Sequence, residues 1–214
     1  MSAPHLSTAI TEAMMKKKEQ ATRTRTNLVL AAARNFDRHG YDGTSLASVC
    51  GDAGISMGAL TFHFRSKASL AAAVADEGVG ELQRIRTARP HTDRPLHDLS
   101  SLVLAVAATL RRSVQARSAA RLIAEGHVVS DWPADWRGEL EGLIESAWKS
   151  GDLSEEVQPG TATQLVRHLV EGVAIDARVT CGQPSPTPPD FEEVWRAALT
   201  GLASGPQGSI ADTP

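Results

Sequence analysis

Residues 55–70 read ISMGALTFHFRSKASL. Ser56, Met57, Gly58, Ala59 and Thr61 are small or reaching side chains, and Phe62, His63 and Phe64 follow them at once. The stretch is too short for an ordinary core helix and too apolar for a loop. Residues of this kind suit contact with the edges of nucleic-acid bases. A major groove about 12 Å wide admits one helix, so the leading residues must be small or extended rather than bulky and packed on themselves. Gly58 lets the backbone approach closely, although glycine costs a helix about 1 kcal/mol relative to alanine. N-caps expected at Thr44, Ser56 and Ser66 would turn helix N–H groups and positive dipole ends toward one surface, suited to phosphate oxygens. Lys67 follows the third cap. His63 fits either a phosphate-side position or a locally satisfied structural histidine, with no catalytic role.

Other chemistries find little support. His91, Asp93 and His97 span Pro95 at a spacing that does not bring ligands to one helical face, so no metal or cofactor is expected. No Ser-His-Asp or Cys-His arrangement sits in a recognisable local context, and the chain is not expected to be an enzyme. Cys50 and Cys181 follow no metal or disulfide spacing, which fits a reducing compartment. The opening MSAPHLSTAITEAMMKKKEQ carries its lysines after its apolar residues, the reverse of a secretory signal. No apolar run approaches the roughly 18–20 residues needed to cross a bilayer. A cytoplasmic location is expected.

The elements that would hold the 56–63 stretch in place are helical. Of 214 residues, 42% are apolar and 22% charged, with one tyrosine and few β-branched runs, a composition that favours helices. NLVLAAARNFDRHGY (27–41) has Leu28, Val29, Ala32 and Phe36 at helical spacing and ends at Gly40, a C′ glycine. SLASVCGDAG follows Thr44 and breaks at Gly54. Leu60 and Phe64, four apart, would face a small core with Phe36, Leu46 and Val49. A long amphipathic run extends from Lys67 to about Ala88. Helices are expected over 96–114, 116–128, 134–151 and from Pro159 to Gly182, then a proline-rich break at 183–190 and a last helix beginning FEEVW. The pattern of helix, glycine turn and short helix is a helix-turn-helix.

The charge is divided. Residues 1–67 hold nine Lys/Arg and five acids, a balance of +4, whereas the remainder has thirteen against twenty, a balance of −7. A basic module for a polyanion and a larger acidic part fit this split. The chain is read as all-α, in four parts. Residues 1–20 form a basic flexible arm, 21–66 a DNA-binding domain, 67–204 a ligand-binding and dimerisation domain, and 205–214 a disordered tail.

Residues 25–70 resemble the DNA-binding domain of the TetR (tetracycline repressor) family of bacterial transcriptional regulators. The resemblance rests on Phe36, Gly40-Tyr41, Thr44-Ser45, Ala53-Gly54-Ile55-Ser56, Gly58, Leu60, His63-Phe64 and Ser66-Lys67, in order and without gaps. It implies three DNA-binding helices followed by a helical domain that binds a ligand and dimerises. The implied DNA-binding set is Arg23, Arg25, Thr44, Ser56, Met57, Gly58, Ala59, Thr61, Phe62, His63 and Lys67. Met57 stands where many members carry lysine, and Thr61 where they carry an aromatic residue. Losing those backbone contacts should reduce phosphate affinity, and Lys16, Lys17, Lys18, Arg23 and Arg25 would compensate as a basic arm. Asn35 replaces a usual apolar residue.

Trp132, Trp136 and Trp148 fall within one segment of the acidic part. Tryptophan offers a large apolar surface with one N–H donor, suited to core packing or to the wall of a pocket for a mostly apolar ligand. AARLIAEGHVVSDWPADW resembles the γ-butyrolactone receptor branch of the family at Arg121-Leu122, Pro133 and Trp136, which implies a tryptophan packed on a bound signal. Arg121, Trp132, Trp136, Thr161, Gln164 and His168 are the expected ligand-binding residues. The resemblance also implies a dimer interface from the last two helices, with Leu165, Leu169, Val173, Val194, Trp195 and Leu199. The expected function is that of a homodimeric repressor, bound to a pseudo-palindromic operator in double-stranded DNA and released by a small apolar, γ-butyrolactone-like or drug-like molecule. The alternatives are a ligand-binding module with weak DNA affinity acting through another regulator, and an enzyme on the same scaffold.

Overall fold

The computed structural model describes residues 4–180 and 190–203, so the expected tail (205–214) and most of the proline-rich break lie outside the described residues. The described residues form nine α-helices: α1 Pro4–His39, α2 Leu46–Ala53, α3 Met57–His63, α4 Lys67–Ala88, α5 Pro95–Arg112, α6 Val114–Ala124, α7 Trp132–Lys149, α8 Pro159–Thr180 and α9 Phe191–Leu202.

The first 20 residues were expected as an arm separate from the DNA-binding helices. From Pro4 onward they instead continue α1, a single 36-residue helix about 54 Å long at 1.5 Å per residue. Thr22, Thr24 and Thr26 satisfy their hydroxyls on the carbonyls four residues back, so none of them breaks it.

Local chemistry sets most other boundaries. Gly40 ends α1 at φ +71°, and Gly54 ends α2 at φ +65° with its N–H on the Cys50 and Gly51 carbonyls. Only glycine enters that left-handed region without strain. The cap of α2 is Ser45 rather than Thr44. Ser45 and Ser48 form a reciprocal capping box, whereas the buried Thr44 hydroxyl donates to the Gly40 carbonyl at 2.7 Å. Ser56 caps α3, and Ser66 with Ser69 caps α4. Ser113, rather than a longer loop, separates α5 from α6 and caps the latter.

Two apolar cores result. Leu28, Val29, Phe36, Val49, Leu60, Phe64, Leu70 and Val74 fill the first, and Leu122 of α6 reaches into it. Leu99, Leu102, Val103, Leu140, Ile144, Val166, Val170 and Trp195 lie in the second. The long α4 serves both, with Leu70 and Val74 in the first and Leu82 in the second. It packs so closely on α6 that a Cβ at Gly78 would collide with the Gln115 carbonyl and the Ala119 side chain. Asn35, unusual by type, is buried and useful. Its amide donates to the Ala31 carbonyl at 2.9 Å and to Asp52 Oδ2 at 2.7 Å, pinning α2 to α1.

Candidate nucleic-acid interface and the clamp behind it

α3 is anchored by one face and open on the other. Leu60 has no exposed surface and Phe64, which caps the helix, is 4% exposed, so both are held in the first core. Ser56, Met57, Gly58, Thr61 and Phe62 are exposed, and Phe62 reaches 81%. The Phe62 ring meets the His63 ring edge-on at 5.1 Å, with His63 half-buried. The two hydroxyls near this face are partly used by the helix. Ser56 Oγ accepts from the Ala59 N–H at 3.2 Å, and Thr61 Oγ1 donates to the Gly58 carbonyl at 3.1 Å.

The N-terminal part of the chain carries exposed cations. Lys16, Lys17, Lys18, Arg23, Arg34, Arg38 and Arg65 are exposed. Arg25 lies over the Phe64 ring at 5.2 Å and 4.0 Å from Glu77. Lys67 holds its ammonium over the Tyr41 ring at 4.3 Å, which fixes the start of α4 against the end of α1. Of the eleven residues expected at DNA, the structure brings Ser56, Met57, Gly58, Ala59, Thr61, Phe62 and His63 together on or beside α3. Thr44 does not join them: it is 3% exposed and its hydroxyl is spent inside.

Behind this surface lies a clamp that sequence reasoning missed. Arg117 of α6, 5% exposed, donates from Nε to Asp37 Oδ2 of α1 at 3.0 Å, and from Nη1 to the Leu110 and Arg111 carbonyls at 2.9 and 3.0 Å. Arg121 donates to the Asp37 carbonyl at 2.8 Å and to Glu125 Oε1 at 2.7 Å, while Glu125 Oε2 accepts the Tyr41 N–H at 2.9 Å. Burial acts to raise the Glu125 carboxyl, but the Tyr41 N–H and Arg121 outweigh it and hold the group below its ordinary value. His127 stacks on Tyr41 at 4.1 Å. A Cβ at Gly40 would come within 2.7 Å of Glu125 Oε1, so this turn is tight as well as left-handed. Arg121, expected at a ligand, therefore ties α6 to α1 instead.

The remaining expected ligand residues divide. Trp132 and Trp136 are 7% and 8% exposed and stack on each other, ring centroids 6.0 Å apart, within the second core. Thr161, Gln164 and His168 are exposed on the outer side of α8, and Gln164 accepts from Arg167 at 2.8 Å. They point away from that core because its buried stripe is Ala162, Val166, Val170 and Val173. Two residues expected at a dimer interface, Val173 and Trp195, are likewise buried within the chain. Trp195 Nε1 is a buried donor with no hydrogen-bond partner among the described residues.

Residues 28–74, which span the end of α1, all of α2 and α3 and the start of α4, match the family described as "Bacterial regulatory proteins, tetR family". Over this segment the chain is similar to the TetR family. Its likeness to TetR-family relatives extends well beyond the matched segment. The A-factor receptor protein of Streptomyces griseus is 27% identical over 192 residues, covering 88% of this chain and 67% of that one. The HTH-type transcriptional repressor BepR of Brucella suis is 26% identical over 172 residues, covering 74% and 82%. Among solved structures, CprB of Streptomyces coelicolor in complex with its biological operator sequence is 26% identical with a TM-score of 0.68, covering 86% of this chain and 90% of that one. A γ-butyrolactone receptor shares the fold at a TM-score of 0.70 and 24% identity, covering 86% and 90%. The relatives of this chain include HTH-type transcriptional regulators, and the solved structures that share its fold include γ-butyrolactone receptors. None of the described helices is long and apolar enough to cross a membrane.

Proposed function

We propose that this chain is a homodimeric transcriptional repressor that binds a pseudo-palindromic operator through α3 and is released by a small, largely apolar effector. The observation that carries the reading is the open face of α3, Ser56 to Phe62, anchored from behind by Leu60 and Phe64. In a helix-turn-helix the second helix lies in the major groove, and a dimer reads two half-sites about one helical turn or more apart. Arg23 and Lys16–Lys18 lie along α1 and would contact phosphates.

Dimerisation is assigned to α8 and α9. Leu165, Ile175 and Val179 of α8 are 38%, 55% and 70% exposed and recur near helical spacing with His168. Such a stripe is stabilised when a second copy covers it. Thr161 and Gln164 flank the same stripe. Leu169 and Leu199, half-buried on α8 and α9, would contribute at its edge.

The effector is assigned to the second core, beside Trp132 and Trp136. An oxygen on an otherwise apolar molecule would satisfy the orphaned Trp195 Nε1–H, which is the chemistry a lactone or ketone carries. Binding there would favour an arrangement of α5, α7 and α8 that α6 transmits to α1 through Arg117 and Arg121. The switch is that difference in affinity between two arrangements.

A second reading has one observation in its favour: α3 carries no lysine or arginine. A protein with weak DNA affinity, acting through another regulator, would fit that feature. Footprinting on the DNA flanking the gene for this chain decides between them. A protected dyad of two half-sites supports the repressor, and uniform or absent protection favours the second reading.

A further inference from the structure

The side chains of α3 determine what kind of sequence it could read. The helix is MGALTFH, and none of its residues is Arg, Lys, Asn, Gln, Asp or Glu. Those are the side chains that make paired hydrogen bonds to guanine, adenine or cytosine edges. The hydroxyls of Ser56 and Thr61 are partly engaged with the helix backbone. What the helix presents is apolar: the Phe62 ring at 81% exposure, Met57 at 43%, and the open backbone at Gly58, where an added Cβ would meet nothing closer than Ser56 Oγ at 3.9 Å. Among the described residues this ring meets only the edge of the His63 ring, and most of its surface stays open.

The major groove offers one apolar group, the C5-methyl of thymine. We infer that this protein reads its half-sites chiefly through thymine methyl groups packed against Phe62 and Met57. Phe62 is thus a specificity-determining residue, and Gly58 allows the helix to sit deep enough for both side chains to reach. This deepens the proposed function and rests on α3 being the groove-reading helix. Lysines and arginines of α1 and Arg65 supply affinity without sequence information, and the methyl contacts supply the selection.

The test uses the full-length protein and a half-site enriched from random duplex DNA. Each thymine is replaced in turn by deoxyuridine, which removes the methyl and leaves every hydrogen-bonding group in place. Affinity is expected to fall roughly fourfold at each contacted thymine, the equivalent of one buried methylene-sized group. Phe62→Ala or Met57→Ala should abolish that thymine–uracil difference at its own position while retaining non-specific binding. Phe62 is exposed, so the variant keeps the core, and an unchanged melting curve verifies this. Enrichment of a site that is insensitive to uracil at every position would overturn the methyl readout while leaving the repressor reading intact. Failure to enrich any site would overturn the repressor reading and this inference with it.

Discussion

Breaking the Arg117–Asp37 pair should be the most damaging single polar change in the chain. The two side chains are 6% and 9% exposed and 3.0 Å apart, and they join α6 to α1 across 80 residues of sequence. Removing one partner of a buried pair leaves a charge that water cannot reach, a loss of about 3–5 kcal/mol. Arg117→Met should therefore destabilise the fold by that amount, with the carbonyls of Leu110 and Arg111 also deprived of their donor. At 2–4 °C per kcal/mol for a protein of this size, the melting temperature should fall by roughly 6–20 °C. Asp37→Leu in the same chain removes the stranded carboxylate. The double variant should recover most of the loss, retaining about 1–3 kcal/mol for the orphaned carbonyls. Urea denaturation of the wild type, both single variants and the double variant provides the cycle. Single variants that each lose less than about 1 kcal/mol, or a double variant whose loss is the sum of the two, would refute the reasoning.

Further outcomes follow from other contacts. Replacing Lys16, Lys17 and Lys18 together with glutamine should lower the slope of log affinity against log salt by about 0.9 for each phosphate contact removed, read by titrating DNA at several salt concentrations. Gly78→Ala should destabilise the fold by about 1–3 kcal/mol, measured in urea, because its Cβ would meet the Gln115 carbonyl and Ala119. Asp98, near the start of α5, accepts from the Thr92 N–H and hydroxyl, both at 2.8 Å, and the N–H bond does most to hold its carboxyl below the ordinary value. A depressed carboxylate stabilises the fold above its unfolded pKa and ceases to do so as pH falls through the folded one. Thermal stability should thus decline below about pH 4, and Asp98→Asn should make that acid limb shallower.

Features set by neighbouring residues were legible in the sequence. Gly40, Gly54, Ser56 and Ser66 act through their own backbone and the next turn, and α4 runs from Lys67 to Ala88 as the apolar pattern requires. Thr44 was misread because two hydroxyl residues precede α2 and the nearby Gly40 carbonyl takes the first of them. The residues of α8 were misread by phase. Ala162, Val166, Val170 and Val173 mark its buried side, which leaves Thr161, Gln164 and His168 on the other. The clamp was invisible for a different reason. Arg117 and Asp37 are 80 residues apart, and an arginine in a helix has no local mark that distinguishes a buried partner from a solvated one. Arg121 has the same ambiguity, which the structure resolves toward Glu125 and the Asp37 carbonyl.

The central claim is that the open face of α3 selects a DNA sequence. Fluorescence anisotropy of the purified protein with the DNA flanking its own gene, against the same DNA scrambled, at two salt concentrations, tests it most directly. The account predicts tighter binding to the natural sequence at both salt concentrations. Equal binding to both DNAs, lost together as salt rises, would contradict it.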